Sequence, residues 1–194
     1  MTADKPSCGR LCLTLLDATQ PVVVRSSDSE VQFAVMILDS EASVVRQYQS
    51  GQIPQVIDLP VGRYTLRAYT DNQSSWATAN GGLGEACLFG DTVVQIKEDN
   101  TAYCRYKVPM INYGVCLTLP ERFALLFPEY TFTVHSADRT VSLEDGQTAY
   151  FSADNGFAYN LMTANTDGVV HQTTEVTVSD QEAGKIYNIR YYYN

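Results

Sequence analysis

Two histidines, His135 and His171, are the chain's whole supply of imidazole for acid-base chemistry or metal ligation. Each stands alone at or within a strand-like run, and neither sits in a His-x-His or His-Glu-x-x-His spacing. A metal site would have to assemble across strands with Asp138 or Glu175, and a solvated or hydrogen-bonded histidine is the commoner outcome. Triads are spatial rather than sequential, so residue types alone do not exclude one. Even so, the Gly-x-Ser-x-Gly elbow of the α/β-hydrolases is missing. Five cysteines, Cys8, Cys12, Cys87, Cys104 and Cys116, form no Cys-x-x-Cys pair, and their odd number leaves at least one unpaired within a monomer. Cys12 and Cys116 lie in strand-like runs without the electropositive setting of a thiolate nucleophile. They read as buried free thiols acting as small hydrophobes.

The remaining chemical candidates have backbone explanations. Glu144-Asp145 imitates a glycosidase pair but falls in a hairpin turn, where Asp serves the backbone. Asn165-Thr166-Asp167-Gly168 lacks the spaced acidic ligands of a calcium loop. Gly81-Gly82-Leu83-Gly84 has neither the lysine nor the following helix of a phosphate loop and reads as a flexible loop. The expectation is therefore a protein with no catalytic residues, no metal and no cofactor.

What remains is contact chemistry. Trp76, the single tryptophan, sits in Asp71-Asn72-Gln73-Ser74-Ser75-Trp76-Ala77-Thr78-Ala79-Asn80-Gly81-Gly82, a stretch too polar and glycine-rich to be a regular element. An exposed aromatic among Ser, Thr and Asn is how a sugar ring or a protein partner is gripped, with Tyr69 nearby as the second stacking ring. The alternative is a Trp76 folded back to cap the open end of a sheet pair, since large aromatics are usually well buried.

Charge narrows the partners. The net charge is −9, divided as −3 over residues 1–97 (7 basic, 10 acidic) and −6 over residues 98–194 (6 basic, 12 acidic). Neither half offers the Lys/Arg stripe that phosphate neutralisation requires, so nucleic acid is excluded as a partner class. No apolar run reaches the roughly 18 residues of a membrane helix, and no charged-then-apolar signal peptide opens the chain. An export signal is expected upstream of Met1-Thr2-Ala3-Asp4.

The elements that must carry these residues are strands. Tyrosine (13) and phenylalanine (7) are plentiful, as pleated half-buried surfaces favour, and charged residues are only 18%. Leu11, Leu13 and Leu15 alternate with Cys12 and Thr14, and Phe33, Val35 and Ile37 with Ala34 and Met36, a period of two. Further strands are predicted at 22–24, 44–48, 56–59, 64–68 after the turn at Pro60-Val61-Gly62, and 93–96. The second half restarts at 102–108 and 115–119. Strands then follow near 130–134, 148–151, 157–162, 169–178 and 186–193, punctuated by Asp145-Gly146, Asn155-Gly156 and Asp167-Gly168. Only 120–127 and 179–183 read as helical. At the C-terminus Tyr187, Ile189, Tyr191 and Tyr193 share one face of a last strand, whose edge would invite strand addition if left unpaired.

These residues resemble a family, the fimbrillin-like surface lipoproteins of Bacteroidetes. The carriers are Gly9-Arg10-Leu11-Cys12-Leu13, Val24-Arg25-Ser26, Phe33-Ala34-Val35-Met36-Ile37-Leu38-Asp39 and Leu59-Pro60-Val61-Gly62-Arg63-Tyr64-Thr65-Leu66-Arg67-Ala68. The second half has a similar restart over 104–119. The resemblance implies tandem transthyretin-like sandwiches, a lipid anchor on an upstream cysteine, and a role in pili or adhesion rather than catalysis. It also implies a processing position: pilins of this kind are cut after an arginine behind the first strand, and Arg25 matches it. An ordinary surface arginine is the alternative. The chain departs from its relatives over 76–84, and Cys8 lacks the lipidation context before it.

The whole predicts an all-β chain of two tandem antiparallel β-sandwiches, transthyretin-like or immunoglobulin-like, with domains at 1–98 and 99–194. Its expected role is that of a cell-surface adhesion or accessory pilus component, anchored at the outer membrane. Its partners would be other surface or pilus subunits, or a host or glycan ligand. A glycan-binding module of a polysaccharide-uptake system, using Trp76 and Tyr69, is the alternative.

Overall fold

The structure, a computed structural model, describes residues 7–19, 31–137 and 139–192. It is nearly all β. By its internal packing the chain falls into two compact units, one formed by residues 1–73 and 87–110, the other by 74–86 and 111–194.

In the first unit, β1 (Cys8–Asp17) pairs antiparallel with β4 (Ile57–Pro60) and parallel with β7 (Thr101–Val108), giving a sheet of order β4-β1-β7. A second sheet has the order β3-β2-β5-β6, from β2 (Ala34–Leu38), β3 (Val44–Tyr48), β5 (Gly62–Tyr69) and β6 (Phe89–Ile96). Period-two patterning does what the sequence promised: along β5, Tyr64, Leu66 and Ala68 are buried while Arg63, Thr65 and Arg67 point outward. The Tyr64 hydroxyl donates to the Pro60 carbonyl at 3.0 Å, tying the strand to the turn that launches it. The core is largely aliphatic, with Leu11, Val35, Ile37, Leu59, Leu66 and Ile96 fully buried.

The second unit repeats the plan. β8 (Asn112–Thr118) pairs antiparallel with β11 (Thr148–Ser152) and parallel with β15 (Ile186–Arg190). The larger sheet runs β10 (Arg139–Leu143), β9 (Glu129–Ser136), β12 (Phe157–Ala164), then β13 (Val170–Gln172), with β14 (Val176–Val178) also on β12. Counting β13 and β14 as one interrupted strand, both units have the order fourth-first-seventh over third-second-fifth-sixth. The interruption falls at Thr173, whose N–H donates to the Leu161 carbonyl and whose hydroxyl oxygen accepts from the Leu161 N–H, each at 2.9 Å. The core draws on both sheets and is aromatic: the Tyr113 ring lies 5.8 Å from Phe151 in its own sheet and 5.5 Å from Phe157 in the other. The Tyr113 hydroxyl donates to the Asn155 carbonyl at 3.1 Å, so this buried phenol is satisfied. Burial raises its pKa and keeps it a donor.

The duplication is written in the strands themselves. Leu11-Cys12-Leu13-Thr14-Leu15 of the first unit recurs as Val115-Cys116-Leu117-Thr118-Leu119 in the second. In the parallel partners, Arg105-Tyr106 and Arg190-Tyr191 match, with Arg105 opposite Thr14 and Arg190 opposite Thr118.

Two expectations need correction. The run 102–108, assigned to the restart of the second half, is the closing strand of the first unit's smaller sheet, so a division at 98/99 would cut that sheet. Local patterning reports a strand but not a parallel partner some ninety positions away in the ladder. The helical stretch contracts to α1 (Phe123–Leu126), because Arg122 at φ 72° breaks the turn before it, and 179–183 holds no helix. The strand expected at 22–24 lies outside the described residues.

Candidate functional site

The Trp76 segment is far from a flexible loop. Two short 3-10 turns, Trp76–Thr78 and Asn80–Gly82, are stitched together by their own backbone. The Gly84 N–H donates to the Ala79 carbonyl at 2.9 Å and the Glu85 N–H to the Trp76 carbonyl at 3.0 Å, while the Asn80 side chain caps the Gly84 carbonyl at 3.1 Å. Four left-handed residues make so tight a path possible: Asn80 (φ 51°), Gly81 (67°), Gly82 (92°) and Gly84 (82°). The glycines read as slack are what lets the segment close on itself.

Trp76 is half-buried, and the guanidinium of Arg139 lies 5.6 Å from its ring centroid and 5.1 Å from that of Phe151. The same guanidinium donates Nη1–H to the Tyr150 carbonyl and Nη2–H to the Gly82 carbonyl. Arg139, at the start of β10, is thus held by two rings and two carbonyls, and burial lowers its pKa. Leu83 packs against the core; its carbonyl accepts from the Tyr150 N–H at 2.8 Å, and the Glu85 carbonyl accepts from the Asn112 side chain at 2.9 Å. The sequence reading found Trp76 through composition but passed over Arg139, whose partners are carbonyls and rings that leave no spacing signal.

Tyr69, offered as the second stacking ring, is half-buried at the end of β5, in register with Phe89 of β6. It belongs to the first unit and Trp76 to the second. Arg25 lies outside the described residues. β15 places Tyr187 and Ile189 against the core, Tyr191 just beyond the strand packs there too, Tyr193 lies outside the described residues, and β15 forms one edge of its sheet.

Each unit carries a groove on the larger sheet. That of the first, about 490 Å³, runs over Arg63, Thr65, Arg67, Asp91 and Val93. Here Arg67 is already committed: it makes a two-point ion pair with Asp91, with Nε at 2.9 Å and Nη2 at 2.8 Å, and lies 5.3 Å from the Phe89 ring centroid. The hydrogen bond from Arg67 holds the Asp91 carboxyl below the usual carboxylate range. That of the second, about 700 Å³, is lined by Glu129, Thr131, Ser142, Glu144, Met162 and Thr163 among others, with no basic residue. Hydroxyls, carboxylates and one thioether suit a neutral or polyhydroxylated surface and repel an anionic one.

The chemistry weighed at the outset stays dispersed. The His135 Nδ1 lies 2.9 Å from the Thr140 hydroxyl, and His171 is exposed on β13. Among the described residues no group of three His, Cys, Asp or Glu is placed to hold a metal ion. Asp138 lies outside them. None of the five cysteines forms a disulfide, with Cys12 and Cys116 half-buried rather than buried and Cys87 the enclosed one. Burial raises the Cys104 thiol pKa, the opposite of an activated nucleophile. Among the described residues no helix is long and apolar enough to cross a membrane.

Residues 7–194 match the model of a family described as a domain of unknown function, DUF4493, and the chain belongs to that family. No curated protein matches it in sequence. Among solved structures it is similar to a candidate cell adhesion protein of Bacteroides uniformis, 12% identical over 96% of this chain and 93% of that one, with a TM-score of 0.53. A candidate cell adhesion protein of Bacteroides eggerthii is 7% identical over 96% and 85% of the two chains, with a TM-score of 0.50. A candidate polysaccharide-binding protein (DUF1812) of Bacteroides thetaiotaomicron is 11% identical over 95% and 91%, with a TM-score of 0.47. At these identities the likeness to the two cell adhesion proteins is one of fold.

Proposed function

We propose that this DUF4493 member is a non-enzymatic cell-surface adhesion protein, exported and anchored at the outer membrane. It works by protein or glycan contact through the surfaces of its two β units. The observation that carries the reading is the fold shared over nearly the whole chain with candidate cell adhesion proteins. Beads coated with the protein should adhere to a bacterial or epithelial cell surface, and a Thr131→Arg, Ser142→Arg pair across the second unit's groove should reduce that adhesion several-fold. Beads that bind no better than uncoated ones on any cell surface would sink the reading.

The pilus form of the proposal makes the chain an accessory, fimbrillin-like subunit processed at Arg25. Trypsin-treated protein should then polymerise in electron micrographs, and persistent monomers would count against it. The glycan form is favoured by the hydroxyl- and carboxylate-lined groove of the second unit. Its other candidate contacts are Trp76 and Tyr69. A glycan array separates these: a hit lost in Thr131→Arg but kept in Trp76→Ala places the contact in the groove, and the converse places it at the ring.

A further inference from the structure

Edge strands expose rows of unpaired backbone groups, and proteins cover or blunt them to avoid pairing with other chains. β11 is the edge of the order β11-β8-β15. The Leu117 N–H donates to the Gln147 carbonyl. The alternation of an antiparallel ladder therefore turns Ala149 and Phe151 toward β8 and Tyr150 outward. Both outward groups of Tyr150 are satisfied, and neither by a strand. Its N–H goes to the Leu83 carbonyl at 2.8 Å, and its carbonyl accepts from Arg139.

Arg139 supplies the donor that a neighbouring strand's N–H would have provided, and with its other nitrogen it holds the Gly82 carbonyl of the covering segment. Trp76 lies against that guanidinium. Gly84 allows the close fit, since a Cβ there would meet the Trp76 carbonyl oxygen at 3.0 Å and Arg139 Nη2 at 3.3 Å. The strand beneath is Thr-Ala-Tyr-Phe-Ser, rich in β-formers and free of charge and proline.

We infer that residues 79–86 are a built-in cover for the β11 edge, locked by Arg139, which keeps this uncharged strand from pairing with the same strand of a second copy of this chain. This goes beyond adhesion as such: it assigns the Trp76 segment to control of self-association.

The test uses the full chain and two variants, Arg139→Ala and the milder Arg139→Lys, read by amide hydrogen exchange and by light scattering on size exclusion. In the wild type the Tyr150 amide should be protected and the protein monomeric. In Arg139→Ala, Tyr150 should exchange at least tenfold faster while Ala149 and Phe151, bonded to β8, keep their protection. The variant should also form a concentration-dependent dimer that a synthetic peptide of residues 79–86 dissolves. Arg139→Lys should fall between. An unprotected Tyr150 amide in the wild type overturns the inference. So does loss of Ala149 and Phe151 protection together with Tyr150 in both variants, because cover and sheet would then open as one body. A variant whose Tyr150 exchanges fast yet stays monomeric overturns the guarding role.

Discussion

The fourth strands of the two units occupy the same place in the same topology and protect their edges by different means. β4 is Ile-Asp-Leu-Pro, four residues long, with Asp58 and Pro60 exposed and Ile57 and Leu59 buried. A short strand carrying a charge and a proline offers little for another chain to pair with. β11 has neither device and is covered instead by residues that come earlier in the chain. Core composition diverges in the same way, aliphatic in the first unit and aromatic in the second. A strand order is fixed by which residues alternate and which strands meet. Edge protection and core chemistry are separate problems, solved locally and differently in each copy.

The largest test of this contrast is at the core. Tyr113→Ala removes the ring around which Phe151, Phe157 and Tyr187 gather, and should cost about 3–5 kcal/mol. Trp76, the sole tryptophan and part of the second unit, is a natural probe: its fluorescence transition should move to lower denaturant in Tyr113→Ala. Leu11→Ala in the first unit should cost about 2–5 kcal/mol, seen by circular dichroism, and leave the Trp76 signal less affected. Equal displacement of both signals by both changes would erase the contrast.

Next comes the clamp. Arg139→Ala leaves the Tyr150 and Gly82 carbonyls without their donor and frees two rings, a loss of about 2–3 kcal/mol in urea unfolding followed at Trp76. Arg139→Lys should recover less than half, because an ammonium cannot present the planar fork that reaches both carbonyls. Full rescue by lysine would mean that charge alone holds the segment. Gly84→Ala, at φ +82° and with a carbonyl 3.0 Å from the new Cβ, should cost about 1–2 kcal/mol by the same measurement.

The smallest effect belongs to the surface of the first unit. Arg67 and Asp91 are exposed, with side-chain accessibilities of 37% and 38%, so the pair should contribute about 0.2–1 kcal/mol. Its sign with pH follows from the depressed Asp91 pKa. The contribution is fully present above the unfolded value of about 3.9 and is lost as pH falls through the folded value. Asp91→Asn should therefore narrow the stability difference between pH 7 and pH 3, measured by thermal melting.

Much of this architecture was legible in the residues. Alternation marked β1, β2 and β5 because a half-buried strand must place apolar side chains every second position, and Pro60-Val61-Gly62 marked the turn into β5. Parallel closure was not legible: β7 and β15 look like any strand, and their pairing with β1 and β8 depends on partners far along the chain. The doubled Cys-Leu-Thr-Leu at 12–15 and 116–119 was present all along, but it signals a repeat only when the two halves are aligned with each other. At the candidate site, composition pointed to Trp76, whereas Arg139 bonds to carbonyls that any residue carries. Nothing in its neighbours Thr140 and Val141 announces the role.

In both units the opening and closing strands are parallel neighbours, β1 with β7 and β8 with β15. Tension applied to the two ends of such a unit pulls these strands past each other along their length. The ladder bonds lie across that direction and are loaded simultaneously, so they must break together rather than unzip in turn. The arrangement gives each unit a resistance to stretching that its thermal stability alone would not reveal.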